Sequence, residues 1–217
     1  VGLAELIATS PDLSPDDKEL AENLLGSSKQ LLEMMNNLLD FTRIDVGNMT
    51  IESNQFSPRE LLANVMTQYQ DQAQRKSIMF FLESAFDVPD HCFGDEKKIM
   101  HILMSLTKNA LKFTNAGSIK LSVSVESSKD DSVKLKMSVT DTGIGIAKQN
   151  QTSLFQPFAQ VDGNSKFGGT GLGLSLTKSY VTLLGGEINC ISEPNRGSTF
   201  WFTVPLQCER SSACQIK

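Results

Sequence analysis

The sequence contains no apolar run approaching the ~18–20 residues that a bilayer-spanning helix requires, and Val1 to Ser10 has neither a basic leading stretch nor a small-residue cleavage site. Nothing in it therefore reads as a membrane span or a signal peptide. Cysteine is sparse: Cys92, Cys190, Cys208 and Cys214 form no Cys-x-x-Cys pair and have no histidine at zinc-finger spacing, so reduced thiols, buried or terminal, are expected. Histidine is scarcer still, and His91 and His101 are too few for most metal sites. Positive charge is in deficit, with 20 Lys plus Arg against 25 Asp plus Glu and a net charge of -5. That balance argues against broad binding to nucleic acid or anionic lipid, while leaving room for a small local cationic site. The chain also opens without methionine, on Val1-Gly2-Leu3-Ala4-Glu5-Leu6-Ile7, and reads as a fragment cut from within a helix of something larger. What is present is ordinary globular material, 217 residues with 40% hydrophobic and 21% charged, enough for one large domain or two small ones.

Two regions differ in hydrophobic period. From Pro15 to Asp45, Leu24, Ser28, Leu31, Met35 and Leu38 step by four and three, and Leu25, Leu32 and Leu39 by seven, which predicts a helix with a wide apolar face. Ser14 before Pro15 suits its start and Gly47-Asn48 its stop. With residues 1 to 9 as the tail of another helix, residues 1–46 read as an incomplete helical hairpin. Its apolar surplus predicts a four-helix bundle across a homodimer, or else packing on its own domain. From Asn48 the pattern is mixed. Ser57 caps a helix to about Lys76, Ile78 to Glu83 reads as a strand, and Gly94-Asp95-Glu96 opens a helix to about Thr114. Ile119 to Val125 and Val133 to Val139 alternate as an antiparallel pair. A glycine-rich stretch follows from Ala147 to Gly169, then a helix from about Leu172 to Leu184 stopped by Gly185-Gly186. A hairpin of Glu187 to Ser192 and Thr199 to Val204 closes the domain. The predicted class is α+β, with helices on one face of a mixed sheet.

Three segments carry candidate chemistry. On the helix from Asp95 to Thr114, a turn of ~100° per residue gathers Ser105, Asn109 and Lys112 within about 60° at the edge of the apolar face. An amide oxygen there can ligate Mg2+ and a lysine one turn on can neutralise phosphate, although in isolation both also fit a solvated helix edge. Asp141-Thr142-Gly143-Ile144-Gly145-Ile146 follows a strand end. Its carboxylate can accept a hydrogen bond from a flat ring that the glycines admit, and adenine, with its exocyclic amine, suits it where guanine does not. Alone, Asp-Thr-Gly is also a common turn. Gly168-Gly169-Thr170-Gly171-Leu172-Gly173-Leu174 opens a helix and offers backbone amides to an anion such as a triphosphate. It lacks the lysine of a P-loop and the third glycine of a dinucleotide fingerprint. The long irregular stretch before it, with Leu154-Phe155-Gln156-Pro157-Phe158, has the length of a lid.

Together these segments, with Gly197-Ser198-Thr199-Phe200, resemble in order the N, G1, F, G2 and G3 boxes of sensor histidine kinases. Residues 48–206 are similar to the catalytic ATP-binding domain of the Bergerat fold shared by gyrase, Hsp90, MutL and histidine kinases. Residues 1–46, particularly Leu38-Leu39-Asp40-Phe41-Thr42-Arg43-Ile44-Asp45, resemble the dimerisation and phosphotransfer helices, and residues 207–217 a tail or linker. The wording of Asp40 to Asp45 and of Phe155 to Gln160 resembles the hybrid type.

The resemblance implies ATP and Mg2+ as ligands. It implies that Asp141 binds the adenine amine, with Thr199 assisting through water and Gly143, Gly145 and Ile146 shaping the base pocket. Asn109 would hold Mg2+, Lys112 would contact phosphate and Phe113 the base or sugar. Gly169, Thr170, Gly171, Leu172, Gly173 and Leu174 would clamp the phosphates, and Phe155 and Phe158 would anchor the lid. The reaction implied is γ-phosphoryl transfer to a histidine, then onward to a response-regulator receiver domain. No nucleic-acid partner and no membrane contact by this segment are expected, and the setting is cytoplasmic, with a membrane anchor elsewhere in the parent chain compatible with that. There are two departures. Ser105 stands where many members carry a second asparagine, and the phosphorylated histidine of the family, with its acidic neighbour, has no counterpart here. His91 and His101 fall elsewhere, so autophosphorylation is not expected. A same-fold ATPase and a non-catalytic module with a degenerate site remain as alternatives.

Overall fold

The computed structural model describes residues 14–159 and 171–208. The chain divides into two compact units, Val1–Asn48 and Met49–Lys217. In the first, α1 spans Pro15–Asp45. Ser14 caps it by accepting from the Asp17 amide at 3.2 Å, with proline in the first turn, where its missing N–H costs nothing. It ends in a Schellman motif: Gly47 has φ 72°, its N–H donates to the Ile44 carbonyl, and the Asn48 N–H donates to Arg43. The expected partner stretch, residues 1 to 9, lies outside the described residues. Among the described residues no helix is long and apolar enough to cross a membrane.

The second unit is a mixed sheet backed by helices, as the alternation predicts. Its elements are β1 (Asn54–Phe56), α2 (Pro58–Arg75), β2 (Ile78–Ser84), β3 (Cys92–Gly94), α3 (Glu96–Phe113), β4 (Gly117–Lys129), β5 (Ser132–Asp141), α4 (Lys148–Gln151), α5 (Gly173–Leu183), β6 (Ile188–Glu193) and β7 (Gly197–Cys208). The strand order is β1-β3-β7-β5-β4-β2, with β6 also paired to β7. Among the described strands only β2 with β4 is parallel. Ile119, Leu121 and Val123 of β4, Val133, Leu135, Met137 and Val139 of β5 and Phe200, Phe202, Val204 and Leu206 of β7 point to one face and are buried. Against them lie Leu61, Leu62 and Val65 of α2, Ile99, Ile102, Leu103 and Leu106 of α3, and Leu176 of α5. Burial of that many large apolar side chains holds the unit together.

Strands β4 and β5 are longer than expected, because the turn is confined to Asp130 and Asp131, with Asp130 at φ 52°. Two three-residue strands, β1 and β3, were not anticipated, and His91 lies exposed just before β3. Strand β7 borders β5 on one side, and on the other borders β6 up to Phe202 and β3 from Gln207. Pro205 sits in the gap between those two neighbours. The Thr203 N–H points to the β6 side, to the Glu187 carbonyl, and by strand alternation the missing donor of Pro205 falls on that same side, where no strand needs it.

Candidate nucleotide site

Helix α3 links the parts of the site. Asp95 caps it, accepting from the Lys98 amide at 3.1 Å and from the Glu52 amide at 2.9 Å. Burial pushes the Asp95 carboxyl up, but the Lys98 ammonium and these two amides outweigh it and hold the pKa below the ordinary value. At its C-terminal end, the Phe113 carbonyl accepts from the Ile144 N–H at 3.3 Å, tying the helix to the Asp141–Ile146 loop. At its middle, Ser105 Oγ accepts from Thr177 Oγ1 of α5 at 3.0 Å and lies 3.6 Å from where a Cβ on Gly173 would be. The start of α5 is therefore beside the Ser105 turn. From Ser105 to Phe113 the helix rises about 12 Å, with Asn109 and Lys112 between. The edge expected from the helical wheel thus runs from the carboxylate loop to the N-terminus of α5, whose first amides have no intrahelical acceptor and, among the described residues, no side-chain cap.

Asp141 closes β5 with its side chain on the core face, 6% exposed. Its Oδ1 accepts from the Gly143 amide at 2.8 Å. Burial pushes its pKa up, while the amides of Gly143 and Ser198 pull it down, and the net direction is upward. Glycine is required around it. A Cβ on Gly145, at φ 65°, would overlap the Glu193 carbonyl oxygen, and one on Gly197, at φ 99°, the Asp141 carbonyl oxygen. Ile146 is fixed through its main chain, its N–H donating to Ser192 Oγ and its carbonyl accepting from Gln151 Nε2, each at 2.8 Å. An open cleft of ≈ 220 Å³ runs along Thr142, Gly143 and Ile144 beside Phe113 and Asn195.

Thr199 requires a correction. Its hydroxyl lies 3.0 Å from that of Thr140, on the sheet face opposite to Asp141. The residue opposite Asp141 in the ladder is Ser198, which is 7% exposed, with its hydroxyl 2.9 Å from Ser192 Oγ. Strand alternation accounts for this: Ser198 shares the even-numbered face with Phe200, Phe202 and Val204, and this parity was available in the sequence. Lys112 has its ammonium 5.0 Å from the Phe113 ring centre, and burial, then the nearby Lys108, pushes its pKa down. A cation made costly in this way gains from a bound anion. Asn109 is half-buried on the same helix edge. Among the described residues no group of three His, Cys, Asp or Glu side chains could hold a metal, so a cation here would depend on Asn109 and on oxygens of a bound phosphate.

Of the glycine-rich stretch expected to clamp phosphates, Gly171, Leu172, Gly173 and Leu174 are described, and Gly169 and Thr170 lie outside the described residues. Gly171 has φ 69°, and a Cβ there would crowd the Phe158 main chain, whose N–H donates to the Gly171 carbonyl at 3.1 Å. Leu172 is buried and Leu174 half-buried. The two phenylalanines expected as anchors divide. Phe155 packs edge-on against Phe200 with centroids 6.4 Å apart, whereas Phe158 is 68% exposed.

The chain is similar in sequence and fold to known proteins. The family described as histidine kinase-, DNA gyrase B- and HSP90-like ATPase matches residues 94–208. The signal transduction histidine-protein kinase BarA of Escherichia coli is 36% identical over 90% of this chain, and hybrid signal transduction histidine kinase K of Dictyostelium discoideum is 35% identical over 95%. The chain spans 22% and 18% of these relatives, respectively. Among solved structures, full-length ShkA in complex with AMPPNP superposes with a TM-score of 0.80 at 27% identity, over 96% of this chain and 42% of that one. With the family model matching more than half of its residues, the chain belongs to the histidine kinase-, DNA gyrase B- and HSP90-like ATPase family.

Proposed function

We propose that this chain is the ATP-binding catalytic core of a hybrid sensor histidine kinase. The γ-phosphoryl group of ATP would pass to a histidine carried elsewhere in the parent protein, and from there to an aspartate of a response-regulator receiver domain. The observation that carries the reading is the buried Asp141 carboxylate at one end of α3, with the uncapped start of α5 against the same helix at Ser105. Asp141 accepts a hydrogen bond from the adenine amine, and guanine would bring a carbonyl oxygen to the same place, leaving two acceptors facing each other. Lys112 and the first amides of α5 take the phosphate charge. The half-exposed amide of Asn109 suits a hard cation, and Mg2+ held there would neutralise charge between phosphates. Catalysis in this arrangement is positioning and charge neutralisation.

The exposed leucines of α1, with Leu24 at 55%, Leu31 at 59% and Leu38 at 48%, support homodimerisation through that helix. His101 stacks edge-on with the buried Tyr180 at 5.0 Å, and His91 borders β3, so neither is offered as a phosphoacceptor. A same-fold ATPase using a general base at position 105 is disfavoured, because Ser105 carries a hydroxyl engaged by Thr177.

Titration with a fluorescent ATP analogue tests the site. Asp141→Asn is expected to weaken binding at least ~10-fold with the melting profile retained, and equal affinity would remove the assignment. Radiolabelled ATP tests the chemistry, with no acid-labile label retained on this polypeptide as the expected outcome.

A further inference from the structure

Cys92 and Cys208 stand directly opposite each other across the β3–β7 ladder. Opposed residues in antiparallel strands have Cα atoms about 4.5 Å apart where the pair is not hydrogen-bonded and about 5.5 Å where it is, and both values fall within the ~4.4–6.8 Å span of disulfides. Cys208 sends its N–H to the Asp131 carbonyl at 2.9 Å, on its β5 side, so it offers β3 no main-chain donor and the pair is of the closer kind. Both side chains share the face of the buried Leu206, whose Cδ2 lies over Gly94. Both cysteines are free thiols, Cys92 fully buried and Cys208 half-exposed. Burial, with Cys208 as the second cause, pushes the Cys92 thiol up to about 11. A reagent in solution therefore meets Cys208 first, and Cys92 answers only a sulfur already delivered beside it.

We infer that Cys92 and Cys208 form a reversible redox modification site that closes to a disulfide in the presence of a small disulfide of the glutathione class. The Cys208 thiolate attacks one sulfur of the small disulfide, forming a mixed disulfide and releasing one thiol. Cys92, giving its proton to water, attacks the Cys208 sulfur and expels the second thiol. The two protein thiols lose two electrons and two protons, and the small disulfide gains them as two thiols. The bond fastens the strand that leads into the α3 cap to the far end of the strand that starts beside Asp141, closing a loop around most of the second unit.

The test equilibrates the chain in mixtures of reduced and oxidised glutathione, quenches with acid, alkylates the remaining thiols and maps linked peptides by mass. The expected product is a Cys92–Cys208 peptide pair that excess thiol reverses, accompanied by a rise in Tm of about 5 °C or more that Cys208→Ser does not show. Cys208 stopping at the glutathione adduct would overturn the inference, as would its pairing with Cys190 or Cys214.

Discussion

Helices α1 and α3 both carry leucines and isoleucines at helical spacing, yet Leu31 is 59% exposed while Ile99, Ile102 and Leu103 have no exposure at all. In α3 the apolar stripe lies on a sheet face formed by β5 and is flanked by α2 and α5. In α1 the apolar residues look outward over most of the helix length. Periodicity identifies which residues call for burial, and a separate surface has to supply it. The polar residues follow the same division. Those on the α3 edge are held between fixed neighbours, as Ser105 is by Thr177, and geometry of that kind is what a binding site needs.

Truncation separates the two helices most directly. Leu103→Ala is expected to cost the second unit about 2–5 kcal/mol in denaturant unfolding, whereas Leu31→Ala should leave that unit's transition where it is. A matching loss from Leu31→Ala would break the contrast. Leu31→Asp should instead convert a dimer to a monomer in sedimentation equilibrium with nucleotide affinity intact. Gly145→Ala should cost about 1–3 kcal/mol, because the positive φ and the Glu193 carbonyl both oppose a side chain, and a crystal structure of the variant should show the 143–146 loop displaced.

Acidification should act on the site before the fold. Asp141 has a raised pKa, so its ionised form costs stability at neutral pH, and that cost disappears as pH falls through the raised value, while the acceptor proposed for the adenine amine is lost. Asp95 has a lowered pKa, and its contribution to stability persists until pH falls below the ordinary value of 3.8. Nucleotide affinity measured against pH should therefore decline while circular dichroism still reports a folded domain. At the small end, Lys120→Ala, which removes an exposed ion pair with Glu83, should leave Tm within measurement error.

Much of this was legible in the sequence because it is carried by repetition. β4 and β5 alternate over enough residues to fix a face, and Ser14, Ser57 and Asp95 mark helix starts by their chemistry alone. β1 and β3 were not legible, since three residues establish no period and their strand state depends on β7 being alongside. The carboxylate proposed to recognise the base, Asp141, was singled out by its place between a strand end and two glycines, and it is buried there. The hydroxyl on the Asp141 face belongs to Ser198 and not to Thr199, a parity that the alternation of Phe200, Phe202 and Val204 carries back along β7. Ser105 was read as a departure from a metal-binding pattern, and only the tertiary structure shows it as the joint between α3 and α5.

Pro205 has a consequence for the timescale of opening. β7 is one continuous strand, but at Pro205 it has no amide proton, and neither β6 nor β3 lies alongside. Exchange with deuterated solvent can therefore proceed on either side of this seam as two separate events. The end that carries Ser198 is held by β5 and β6 together, while the end at Cys208 is held by β5 and the short β3. The Cys208 end of β7 can fray without passing its opening on to the end beside Asp141, so the loop proposed to hold the base keeps its shape while that far end opens.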